Sequence, residues 1–367
     1  GGRHLLARPD RRVVQLHRLV ARGFRNLADL EADVPAGGMI LLGPNGHGKT
    51  NLLEALCYTV LCRSVRGAPD NELARFGGPG FHVATDAGGA TVSVQWSVAE
   101  RRKRIAVDGA SVARLADAIG SWLVTAFLPG DVALASGPAT VRRLFLDRML
   151  ALADAGYLDA LTRYRAALAQ RNSALRSGRG TLAAAFDVPL AEAGAFVTRA
   201  RLEWVRSVED RFRQELGALG EQGDARLVYR GHAELAEPDA WAPALADHLA
   251  RDLARGATGT GPHRDDLRLL LDGRELRNYG STGQQRTAAI ALRLLELRTL
   301  AEGRGSEPAL ALDDVFAELD PARQERLAER LLAGPVRQVF LTAPRREEIP
   351  AGLILPVWHV NEGRVLA

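Results

Sequence analysis

A chain of 367 residues with 47% hydrophobic content can bury a large interior and exceeds what one core ordinarily supports, so two lobes are expected. Its longest apolar runs, such as Met39 to Leu42 and Leu310 to Leu312, are too short to cross a bilayer, and no signal peptide is found, which favours the cytoplasm. The formal charge of +4 is spread along the chain, so it permits an acidic polymer as partner without requiring one.

The opening Gly1, Gly2, Arg3 and His4 have no periodicity, and the pattern begins near Val13. Val13 to Leu19 alternates as a strand, Leu27 to Val34 reads as its partner, and Met39 to Leu42 is a short buried strand after the Pro35 to Gly38 turn. That strand runs into Gly43-Pro44-Asn45-Gly46-His47-Gly48-Lys49-Thr50, and Asn51 to Tyr58 then spaces its apolar residues as a helix does. A Gly-rich loop between strand and helix is what a phosphate cradle requires. The backbone N–H groups of Asn45 to Thr50 are expected to hold the phosphates of a nucleotide, with Lys49 bridging the β- and γ-phosphates and the Thr50 hydroxyl on Mg²⁺. Composition agrees. Of 48 basic residues only Lys49 and Lys103 are lysines, and a tight loop around a phosphate needs a compact ammonium rather than a planar guanidinium. Cys57 and Cys62, five apart on this helix, suit neither a disulfide nor a metal site and are packing residues, which fits a reducing compartment.

Thr91 to Val98 and Arg104 to Val107 alternate, and Asp108-Gly109 and Asp272-Gly273 are hairpin signals, so the first part is strand-rich. From Ala139 to Gly220 the chain is rich in Ala, Leu and Arg, and Val205, Val208, Phe212 and Leu216 recur at helical spacing. This is a helical insertion, broken near Ser177 to Gly180. Strand signals return at Arg226 to Tyr229. The expected lobes are 13–138, holding the phosphate loop, 139–225, helical, and 226–367, returning to the first lobe. In the last part Ala309 to Leu312 is an apolar strand ending in Asp313 and Asp314. Asp313 is placed on the metal. Asp314, turned another way by strand alternation, is placed to polarise the attacking water, with Lys49 the second catalytic residue.

Between these lies Tyr279-Gly280-Ser281-Thr282-Gly283-Gln284-Gln285-Arg286, opening the helical Thr287 to Leu300. Here the chain resembles the ATP-binding-cassette ATPases, whose Ser-Gly-Gly-Gln signature opens a helix ahead of the acidic strand. Thr282 stands where that signature has its first glycine. Glu318, Leu319 and Asp320 match the D-loop position. Further stretches narrow the resemblance to the RecF family of DNA-repair ATPases: Gly23 to Asn26, Lys49 to Glu54, Arg63 to Arg66, Gly137-Pro138 with Arg142-Arg143 and Phe145 to Asp147, Gln170 to Asn172, and Gly261 to Leu267.

The resemblance implies an α/β fold, an ATPase head of the cassette and SMC type with a mixed sheet and an inserted helical lobe. It implies that Ser281, Gly283 and Gln284 of one copy close over the ATP held by a second copy. An ATP-dependent homodimer would then bind double-stranded and gapped DNA and hydrolyse ATP slowly. RecR, RecO and RecA are the implied protein partners, with nucleoid association following from the DNA. Arg101 to Arg104, Arg163, Arg165, Arg171 and Arg176 are candidates for phosphate contact. His263 reads as bracing the signature lobe rather than as catalytic. Where many cassette ATPases have a switch histidine this chain has Ala343, leaving Thr342 as the candidate for the γ-phosphate contact, and Asp131 is the candidate for the glutamine loop.

Overall fold

The computed structural model describes residues 12–113, 117–120, 122–316, 319–332, 337–350 and 352–366. The calls on Gly1 to His4 and on Glu318 lie outside them. The chain divides into two compact units, one formed by Gly1–Asp131 with Glu296–Ala367 and the other by Val132–Leu295.

The first unit has two large sheets. One is mixed, with strand order 364–366, 357–361, 38–42, 339–343, 309–313 and 124–127, parallel except for the 357–361 and 364–366 pair. Ala309–Asp313 and Val339–Ala343 are buried at every residue, the pattern of parallel strands covered on both faces. The other sheet is an antiparallel run of 30–33, 16–22, 80–87, 90–97, 102–107 and 110–111. Asp108 and Gly109 turn its last hairpin with φ of 50° and 78°, both left-handed as a two-residue turn between twisted strands demands.

The Lys49–Leu61 helix packs against strands of both sheets, so its residues from Leu52 to Val60 are all buried. That explains a helix apolar nearly all round. Cys57 and Cys62 are buried thiols not joined in a disulfide, and burial pushes the Cys62 thiol up to about 11. At the helix C-terminus Cys62 takes φ 50°, and Lys103 donates to its carbonyl oxygen at 2.7 Å while pairing with Asp70 at 2.7 Å and lying 5.8 Å from the Tyr58 ring centroid. The second lysine of the chain therefore closes the far end of the helix that the first one opens. That engagement takes Lys103 out of the expected run of phosphate-contacting cations at 101–104. Arg104 is also paired, with Glu100.

The second unit contains helices Ala139–Ala153, Ala155–Arg176, Gly180–Ala184 and Asp187–Ala218, then an antiparallel sheet of 225–230, 266–271 and 274–275, and a helix Trp241–Arg255 that the sequence reading does not include. Within its largely apolar interior lie several buried arginine–carboxylate pairs. Arg201, 2% exposed, donates to Asp147 at 2.6 Å, to the Pro262 carbonyl at 2.7 Å and to the Tyr157 hydroxyl at 3.1 Å. Tyr157 donates to Asp147, Tyr229 donates to Asp265, and Arg142 forms a two-pronged pair with Asp266 at 2.7 and 3.0 Å. Arg171 is buried in the same way, on Asp187, Asp252 and Thr258. It cannot reach DNA, contrary to the sequence expectation, because its charge is consumed by two carboxylates inside the unit. Arg163 and Arg165 are exposed but paired with Asp159 and Asp147.

Candidate nucleotide-binding site

The loop from Gly43 to Thr50 leaves the end of the 38–42 strand and enters the Lys49–Leu61 helix, the strand–loop–helix context expected from the sequence. Gly46 and Gly48 hold φ of 80° and 107°, values that a residue with a Cβ adopts only under strain. A Cβ on Gly48 would stand 3.2 Å from Asn26 Oδ1 and 3.3 Å from Leu27, whereas one on Gly46 would meet nothing within 4 Å. Gly48 is thus fixed by packing beneath the loop, and Gly46 faces open space, as a residue beside a ligand should. No acidic residue stands in the first helical turn, leaving its N–H groups and dipole for an anion.

Lys49 is 4% exposed and donates to the carbonyls of Gly43 at 2.7 Å and Pro44 at 3.1 Å and to Asn45 Oδ1 at 3.3 Å. The ammonium therefore sits inside the curve of its own loop. His47 is held from the 357–361 and 364–366 hairpin: its carbonyl accepts the Gly363 N–H at 2.9 Å, and its Nδ1 lies 2.7 Å from Asn361 Oδ1. Behind the helix Asn26 Oδ1 accepts from Asn51 at 2.8 Å, and Arg25 pairs with the buried Glu54 at 2.6 Å, beside Ser64 and Arg66. Three of the RecF-like stretches thus meet around one helix.

The second half of the site comes from the strand ends. The Thr50 hydroxyl donates to Asp313 Oδ1 at 2.9 Å, joining the loop to the acidic strand across 263 residues of chain. Among the described residues no cluster of three or more His, Cys, Asp or Glu could hold a metal unaided. Thr50 and Asp313 supply two hard oxygens, and Mg²⁺ there would take its other ligands from phosphate and water, as that ion ordinarily does. Burial pushes the Asp313 carboxyl above the usual carboxylate range, opposed by the hydrogen bonds from Thr342 and Thr50.

Asp314 departs from the expectation. The strand ends at Asp313, and Asp314 takes φ 47°, so alternation stops there. Instead of diverging, the two carboxylates converge on Thr342, the register partner of Asp313 on the 339–343 strand. Thr342 Oγ1 stands 2.8 Å from Asp313 Oδ1 and 3.1 Å from Asp314 Oδ1, and it accepts the Asp314 N–H at 2.9 Å. Its hydroxyl is engaged by acids, not presented as a free donor for a γ-phosphate. Sequence reasoning sees Thr342 only as a neighbour of a missing histidine, because the contact depends on strand register.

Ser281, Gly283 and Gln284 belong to the other unit. Ser281 Oγ accepts the Gln284 N–H at 3.2 Å and Gln284 Oε1 accepts the Ser281 N–H at 2.9 Å, a reciprocal cap on the Thr282–Arg304 helix. Ser281 is exposed, and as an acceptor here it keeps its hydroxyl proton for a further partner. Gly283 is the second residue of that helix, one position before Gln284. Asp320 caps the Pro321–Leu332 helix by accepting the Arg323 N–H at 3.0 Å, and Asp131 accepts the Leu128 N–H at 2.8 Å. His263 has both ring nitrogens occupied, Nδ1 by the Tyr164 hydroxyl at 2.6 Å and Nε2 by the Thr258 carbonyl at 2.9 Å. The carbonyl requires a protonated Nε2, so the ring is a neutral brace, and burial holds its pKa low.

The family model described as the RecF/RecN/SMC N terminal domain matches residues 15–352. A DNA replication and repair protein RecF from Anaeromyxobacter sp. (strain Fw109-5) is 38% identical over 353 residues, covering 92% of this chain and 95% of the relative. A solved structure of the recombination mediator protein RecF with ATP, from the RecFOR pathway, superposes with a TM-score of 0.88 at 28% identity, covering 100% of both chains. The Smc head domain from Pyrococcus furiosus gives 0.55 at 15% identity, covering 96% of this chain and 95% of that one, a likeness of fold.

Proposed function

The chain belongs to the RecF/RecN/SMC N-terminal domain family and, within it, to the RecF proteins of DNA replication and repair, and from that membership and the site geometry we propose an ATP-driven dimeric clamp on DNA. The observation behind the reading is the meeting of Thr50 and Asp313 at 2.9 Å, next to the buried ammonium of Lys49. A phosphate cradle and a pair of hard oxygen ligands then share one end of the sheet.

In this reading the loop N–H groups of Asn45 to Thr50 bind the phosphates, Lys49 balances their charge, and Thr50 with Asp313 holds Mg²⁺, whose chemistry is to neutralise charge on the transferring phosphoryl group. Asp314 accepts the proton of the attacking water. Ser281 of a second copy, its hydroxyl proton uncommitted, donates to the γ-phosphate, with the Gly283 backbone and Gln284 beside it. Two such sites relate two copies by a twofold axis, so bound ATP favours the dimer and hydrolysis releases it. The clamp acts on double-stranded DNA beside single-strand gaps and works with RecR and RecO to load RecA, supporting the SOS response and replication restart. The positive net charge supports a DNA partner through phosphate contacts.

The test is dimerisation and ATP turnover on gapped DNA in the wild type, Asp314→Asn and Ser281→Arg. Asp314→Asn should accumulate an ATP-bound dimer with little turnover. Ser281→Arg should bind ATP as a monomer and fail to dimerise. If Ser281→Arg lost ATP binding itself, the site would be completed within one copy and the dimer model would fall.

A further inference from the structure

We infer that Thr342 is a positioning residue for hydrolysis, which couples the metal-side acid Asp313 to the water-side acid Asp314 through one hydroxyl. The inference rests on the ATPase reading above and deepens it. The hydroxyl oxygen accepts the Asp314 N–H at 2.9 Å, which leaves one proton for two carboxylate oxygens, Asp313 Oδ1 at 2.8 Å and Asp314 Oδ1 at 3.1 Å. A single O–H cannot satisfy both at once. The shorter distance gives the proton to Asp313 here, although Asp313 Oδ1 already accepts from Thr50 at 2.9 Å.

The backbone is shaped for this sharing. Asp314 holds φ 47°, an uncommon conformation for a residue with a side chain, and in it both the amide and the carboxylate of that one residue reach Thr342. Thr342 is 1% exposed and sits on a strand buried at every position. Thr50 and Asp313 would hold a cation, and with the Asp313 lone pairs so engaged, donation from Thr342 to that oxygen would be less favourable. The Thr342 proton is then left for Asp314 Oδ1. This fixes the carboxylate in one rotamer and leaves its other oxygen for the attacking water. Rotation of one O–H bond would thus link the state of Asp313 to the aim of Asp314. The Thr342 hydroxyl is taken up by the two acids and the Asp314 N–H, so it acts through Asp314.

The experiment compares wild type, Thr342→Val and Thr342→Ser in the full chain with gapped DNA. Three readouts are taken: melting temperature, equilibrium affinity for fluorescent ATP and ADP analogues with Mg²⁺, and the split of turnover into kcat and KM. Valine keeps the shape and removes the hydroxyl. The expected result is a kcat roughly ten- to hundred-fold lower, the scale of a lost hydrogen bond to a charged group, with ATP and ADP affinities unchanged relative to each other. Serine should restore most of kcat. Unchanged kcat in Thr342→Val overturns the inference. So does a fall in ATP affinity without a matching fall for ADP, which would place the hydroxyl on the γ-phosphate. Failure of serine to recover turnover, with its melting temperature intact, overturns it as well. A wild type that binds ATP and never hydrolyses it on DNA sinks the ATPase reading and this inference together, whereas wild-type turnover with an unaffected valine variant sinks only the latter.

Discussion

Replacing Arg171 by methionine distinguishes an interior role from a DNA-binding one. The Arg171 side chain is 1% exposed and makes three bonds: Nε to Asp187 at 2.8 Å, Nη1 to Asp252 at 2.9 Å and Nη1 to Thr258 at 2.8 Å. Methionine keeps the length of the side chain and removes the charge. Asp252, 2% exposed, then retains the Gly259 N–H at 2.9 Å but no cation. An uncompensated buried charge of this kind costs about 3–5 kcal/mol. Asp187 is 29% exposed, so water takes over that arm and it adds little. For a unit the size of Val132–Leu295, each kcal/mol moves the melting temperature by about 2–4 °C, which predicts a drop of about 6–20 °C. Denaturant and thermal unfolding followed by tryptophan fluorescence measure it, since Trp204 and Trp241 lie in that unit and Trp96, Trp122 and Trp358 in the other. The double variant with Asp252→Asn should recover part of the loss, because the stranded charge is gone. At a temperature where the variant is folded, the salt dependence of its DNA binding should match wild type. A loss below about 1 kcal/mol, together with a salt slope lower by about one, would refute the argument and put the guanidinium on a phosphate.

Two further outcomes follow from the same contacts. Lys49→Arg keeps the charge, but the wider guanidinium has no room between the Gly43 and Pro44 carbonyls at 2.7 and 3.1 Å. Equilibrium binding of a fluorescent ATP analogue should weaken by at least about thirtyfold, or roughly 2 kcal/mol. His263 has its pKa lowered by burial, so the unfolded chain binds the proton more readily than the folded one. Its contribution to stability is therefore present above the ordinary histidine value of about 6.5 and is lost as pH falls below it. Denaturation midpoints at pH 8 and pH 5.5 should differ less in His263→Gln than in wild type, and an equal difference would contradict the neutral-brace assignment.

Much of the candidate nucleotide site is legible in the chain because it is local. A strand, eight loop residues and a helix need only apolar spacing and glycines at positions of positive φ, and the structure has all three between Gly38 and Leu61. The helices between Ala139 and Ala218 are equally visible, since periodicity over tens of residues is robust to small errors of phase. The Trp241–Arg255 helix is legible too, from Leu245, Leu249 and Leu253 one turn apart and from Pro243, which the first turn tolerates, yet the sequence reading passes over it.

The sequence by itself determined the cradle, the two lysines and the apolar strand that ends in two acids, because these depend on neighbours within a turn or two. Tertiary structure decided what each charge does. Arg171 looks like the other arginines until a partner 81 residues away buries it. Lys103 sits in a basic run until Cys62, 41 residues earlier, offers a carbonyl. Asp313 and Asp314 should diverge by strand alternation, yet the strand stops between them and register brings Thr342 to both. Local periodicity reports which surface a side chain occupies. Only the folded chain places the opposite charge beside it, and the strength of that pairing depends on distance and burial.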